Sequence, residues 1–173
     1  MATILLFDTH EWFDRVALLP AREGPPPPMT EDFPQEQLGQ WPPSWGVVEA
    51  LMAFGLALPG VVERPTAVAP DGARALTLPK VVQPPAEAFM VGREFAHVHA
   101  RPTGSMHLML PAPYRALALS KGWVLRHPFA ERGRGPAATV FVFAPRNEHE
   151  LLWTQALLAV SHAWASGALP DFA

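Results

Sequence analysis

The sequence predicts an α+β domain: an antiparallel β-sheet with helices packed mainly on one face and a long C-terminal helix. Three observations lead there. Apolar residues at helical spacing are confined to the two ends of the chain and one short insertion. Between residues 61 and 143 the β-rich segments are short and joined by turn-type connections, which suit antiparallel neighbours. The 21 prolines gather at Pro25 to Pro28, Pro42-Pro43 and Pro84-Pro85, where they punctuate elements rather than interrupt them. With 173 residues the chain is expected to form one domain. Residues 1–57 would be a helical, proline-rich extension and residues 58–167 the sheet-and-helix core.

Taken in order, Asp8-Thr9-His10-Glu11 is a capping-box pattern opening a helix with Trp12, Phe13, Val16 and Leu19 on one face, ended by Pro20. Residues 21–43 show neither period and read as an extended surface crossing. Ser44 caps a second helix to about Ala57, with Val47, Val48, Leu51, Met52 and Phe54 apolar. Val61 to Arg64 and Arg74 to Leu78 read as strands around the Pro70-Asp71-Gly72 turn. After Pro111 a short helix runs from Ala112 to Lys121, with Gly122 suited to a left-handed cap. Trp123 to Arg126 reads as a short strand, residues 131–136 as a loop, and Thr139 to Phe143 as a strong strand. Asn147-Glu148-His149-Glu150 is a second capping box, opening a helix to about Ser166 that Gly167 closes.

Composition narrows the function classes. A net charge of −3 gives no basic footprint for nucleic acid. Apolar runs are too short for a membrane span, and no signal-like segment opens the chain. The absence of cysteine removes disulfides and thiolate chemistry. A cytoplasmic location is expected, with a small molecule as the partner and a homodimer as a further option. Neither nucleic acid nor a membrane is expected.

The chemistry concentrates between Ala88 and Leu110, which holds three of the seven histidines. Alternation puts Phe95, His97 and His99 on one strand face, with Glu94, Ala96 and Val98 on the other. Arg101-Pro102-Thr103-Gly104 has turn chemistry, and the return strand runs from Ser105 to Leu110. With His99 opposite His107, all three imidazoles share a face; a one-residue slip would remove His107. Strict alternation sends Glu94 away from them unless a bulge permitted by Gly92 re-aims it.

The block from Phe89 to Ala144 resembles a family known as the luciferase domain. The likeness rests on Phe89-Met90-Val91-Gly92-Arg93-Glu94-Phe95-Ala96-His97-Val98-His99 and on Ser105-Met106-His107-Leu108-Met109-Leu110-Pro111. It continues through Gly122-Trp123, His127-Pro128 and Ala144-Pro145-Arg146-Asn147-Glu148, and spans roughly residues 58–165. The resemblance implies a shared domain rather than a defined reaction. The sequence has no glycine-rich dinucleotide fingerprint, so nothing in it points to flavin or nucleotide. It is shorter than a typical (β/α)₈ barrel and lacks the cysteines of the cysteine-rich secreted luciferases.

Two chemistries use the same residues. In the leading one, His97, His99 and His107 line a pocket for a small polar or anionic ligand, with Arg93 and Arg101 steering charge. His127 and Trp123 join this binding set. In the alternative, His97, His99 and His107 hold a divalent transition metal for hydrolysis or oxygen chemistry. A third reading is an interaction module using the proline run and the first helix. Ser105 beside the histidines has no nucleophile elbow around it.

Overall fold

The computed structural model describes residues 9–31, 33–81 and 83–169. Helix α1 spans Thr9–Ala17 and α2 Trp45–Ala57; strands β1 (Val62–Pro65), β2 (Arg74–Thr77), β3 (Glu94–Val98) and β4 (Met106–Met109) follow. Then come α3 (Ala112–Ser120), β5 (Val124–Arg126), α4 (Pro128–Glu131), β6 (Thr139–Val142) and α5 (Glu148–Ala165). The strands form one antiparallel sheet in the order β1-β2-β3-β4-β6-β5. The architecture is α+β, as the sequence predicts, with α4 an added single turn after His127. Asp8, the cap expected for α1, lies outside the described residues.

Alternation sorts the sheet into two chemically different faces. Leu76, Ala96, Leu108 and Val140 lie across from one another in successive strands, as do Val98, Met106 and Val142. These rows join Leu51, Met52, Leu157 and Leu158 in the hydrophobic core beneath the helices. Helix α5 packs on β3 and β4, and α1 and α2 pack on α5. Full burial of each such leucine stabilises the fold by about 1.5–3 kcal/mol. Asn147 caps α5 by accepting from Glu150 N at 2.9 Å, whereas the Glu150 carboxylate reaches back to Arg146 N. No helix among the described residues is long and apolar enough to cross a membrane.

The opposite face carries the row Ala75, His97, His107, Phe141. Its cover is the aperiodic segment of residues 20–31 and 33–43, which runs over the sheet as a strap. Each fixing point satisfies a buried polar group, as a loop inside a fold requires. Trp123 Nε1 donates to Pro20 O at 2.7 Å, and Gln37, fully buried, accepts from Ala144 N at 2.8 Å. Arg22 lies over the Phe143 ring at 4.9 Å and 3.7 Å from the Glu150 carboxylate. Burial lowers the Arg22 pKa. Burial would raise that of Glu150, but the hydrogen bonds from Arg146 and the charge of Arg22 bring it below the usual carboxylate range.

Candidate functional site

The site begins with an irregularity in β3. Leu76 pairs with Ala96 while Thr77 pairs with Glu94, so Phe95 is an extra residue. Such a bulge reverses the alternation on one side of it. Phe95 therefore leaves the expected face and enters the core, edge-on to His162 of α5 at 6.0 Å. Glu94 swings to the histidine side. The re-aiming of Glu94 that a bulge at Gly92 would have permitted thus occurs through a bulge three residues later, at Phe95; Gly92, with φ of 55°, shapes the turn before the strand.

The register also differs from expectation. His97, not His99, stands opposite His107, and His99 N donates to Ser105 O at 2.8 Å. The shift is two residues, which preserves parity, so all three imidazoles still share a face. Ring centroids are 5.4 Å apart for His97 and His99, and 4.9 Å from each of them to His107. One ligand nitrogen from each of the three buried rings falls within 4.8 Å of the others.

Every ring has a non-histidine partner. Glu94 Oε1 is 2.6 Å from His97 Nδ1 and also accepts from Thr66 Oγ1 at 3.0 Å. Ser105 Oγ is 3.3 Å from His99 Nδ1, and Gln35 Oε1 of the strap is 3.1 Å from His107 Nε2. His97 Nε2 and His107 Nδ1 approach at 2.9 Å, and His99 Nε2 is buried without a hydrogen-bond partner. Burial, then the neighbouring imidazoles, push His99 down to about 3 and His107 well below the ordinary histidine value. His127 is lowered by burial and by His97. These rings are neutral near pH 7, the protonation state that binds metals and accepts hydrogen bonds.

Two cavities flank the cluster. One of about 290 Å³ is walled by His97, His107 and His127, with Phe33, Met90 and Phe129 around them and Arg134 at its edge. Phe33 stacks on Phe129 at 5.5 Å, and His127 lies edge-on to His107 at 4.8 Å. The other, of about 350 Å³, is lined by His99, Arg101, Trp45 and Arg74. Arg101 sits over the Trp45 ring at 4.6 Å. Arg93 stands over Phe89 at 5.6 Å, outside both linings. Trp123 is buried in the core. The structure thus brings His97, His99, His107 and His127 together and leaves Arg93 and Trp123 apart from them. Gln35, Thr66 and Phe33 were not legible as site residues, because each lies in an aperiodic or turn segment and reaches the site through tertiary packing alone; Phe129 was not, because it lies on the short helix α4, for which there was no signal in the sequence.

Residues 92–161 match the family model of the luciferase domain, a span that contains the three clustered histidines. The chain is 32% identical over 160 residues to the luciferases of Armillaria ostoyae and Armillaria mellea, covering 83% of this chain and 59% of theirs. A 60-residue stretch is 43% identical to the luciferase of Neonothopanus nambi, covering 34% of this chain and 22% of that protein. The chain therefore spans less than two thirds of these relatives. No solved structure matches it. Over residues 92–161 this chain matches the luciferase domain, and it shows distant homology to the fungal luciferases.

Proposed function

We propose that this protein is an enzyme acting on a small molecule that binds in the cavity beside His97, His107 and His127. The composition of that wall carries the reading: imidazoles on one side, Phe33, Phe129 and Met90 around them, and Arg134 at the rim. Such a lining suits a ligand with an apolar body and a few polar groups. Because His107 and His127 are held neutral, an anionic group on the ligand would find its charge partner in Arg134 rather than in an imidazolium. The name luciferase borne by the relatives supports catalysis on a small molecule. Light emission, as an activity of whole proteins that this chain spans in part, belongs to the proposal.

The test is thermal denaturation with a panel of small organic acids and aromatic alcohols, and with the substrate of the Armillaria luciferases, whose consumption and light output are followed in parallel. A ligand at 100 times its Kd stabilises the fold by about 2.7 kcal/mol. Val68→Trp fills the cavity from a rim position that is 41% exposed, and is expected to abolish the stabilisation while leaving the fold intact. Stabilisation that survives Val68→Trp, or a panel without effect on the wild type, overturns the reading.

A further inference from the structure

We infer that His97, His99 and His107 form a three-histidine centre for a divalent transition metal, with Glu94, Ser105 and Gln35 orienting the rings. The argument rests on where the ring protons must be. Glu94 Oε1 accepts from Thr66 Oγ1 and faces His97 Nδ1 at 2.6 Å, so the His97 proton is on Nδ1 and Nε2 carries a lone pair. At the other end, the Gln35 amide nitrogen is directed to Arg126 O at 3.5 Å, which turns its carbonyl toward His107. That places the His107 proton on Nε2 and leaves a lone pair on Nδ1.

Two lone pairs then face each other at 2.9 Å, a contact that is repulsive unless a cation lies between or beside them. The nearby third ring adds His99 Nε2, a buried nitrogen without a hydrogen-bond partner. A proton could serve one pair of nitrogens but not three. A metal serves all three. Tetrahedral bonding at about 2.0–2.1 Å separates ligand nitrogens by about 3.3 Å, so the His97–His107 pair opens by a few tenths of an ångström. Metal-bound histidines commonly donate their second ring nitrogen to a carboxylate or carbonyl, which is the role Glu94 and Gln35 fill here. An all-imidazole set suits zinc, copper, iron or nickel rather than magnesium or calcium. Three protein ligands leave a coordination position for water or a substrate, and His97 and His107 already border the small-molecule cavity.

Cobalt(II) and zinc titrations of untagged, chelator-treated protein test this without any organic ligand. A failure here leaves the small-molecule reading standing, and the converse holds too. The expected result is one equivalent of metal per chain, with visible cobalt absorption. His99→Ala and His107→Ala should each weaken binding at least 100-fold, and Gln35→Leu or Glu94→Gln 10- to 100-fold. Circular dichroism checks that each variant folds. Should a histidine variant unfold, Gln35→Leu in the strap still reports the orienting effect. Absence of stoichiometric binding to the wild type at micromolar metal overturns the inference. So does affinity unchanged in folded His99→Ala.

Discussion

Glu94 and His97 meet at 2.6 Å across a bulge, and a regular strand would have put them on opposite faces of the sheet. The single extra residue, Phe95, both fills the core beneath α5 and delivers a carboxylate to the histidine face. Packing and polar chemistry are thus set by one irregularity.

Removing that carboxylate leaves His97 Nδ1 buried without its partner. Glu94→Ala is expected to cost about 1–3 kcal/mol, the usual penalty for an unsatisfied buried polar group. Urea denaturation checks this. A midpoint equal to that of the wild type would show that the contact does not hold the site together.

Metal-free protein should lose stability in acid through its histidines. His99 and His107 are neutral in the folded state, so as pH falls the unfolded chain takes up protons that the folded chain does not. Their contribution is complete above the ordinary value of 6.5 and is lost progressively as pH falls toward about 3, the folded value for His99. Each group adds at most about 1.4 kcal/mol per pH unit within that window. Denaturation midpoints in chelator should therefore decline from pH 7 to pH 4, and less steeply in His99→Gln. A flat wild-type profile would contradict the neutral, buried placement of these rings.

The strap should depend on Gln37. Its side chain accepts from Ala144 N and donates to Gly39 O and Gln40 O at 2.9 and 3.1 Å. Gln37→Leu strands the Ala144 N–H and is expected to cost about 1–3 kcal/mol. Hydrogen exchange should quicken across residues 33–40, where Gln35 contacts His107. Unchanged protection there would mean that the strap is held without Gln37, by Gln35 and its Arg22 end.

These relationships mark how far local patterning reaches. Alternation made the shared face of His97, His99 and His107 legible, because parity survives a two-residue shift in register. It could not supply the register itself, which is fixed by the chain returning through Ser105 opposite His99. The helix boundaries were legible from Ser44, Asn147 and the closing glycines, since caps are local chemistry. The position of the bulge was not, because Phe95 is an ordinary strand residue whose displacement is decided by its place against His162. Gln35 was least legible of all. It lies in an aperiodic segment and meets His107 across 72 positions of sequence.

The most direct measurement of the histidine centre is ¹⁵N NMR of the imidazole nitrogens before and after one equivalent of zinc. The account predicts zinc-shifted signals for His97 Nε2, His107 Nδ1 and His99 Nε2, with protons retained on His97 Nδ1 and His107 Nε2. Ring signals that zinc leaves unchanged, or a proton held on His97 Nε2 after its addition, would contradict it.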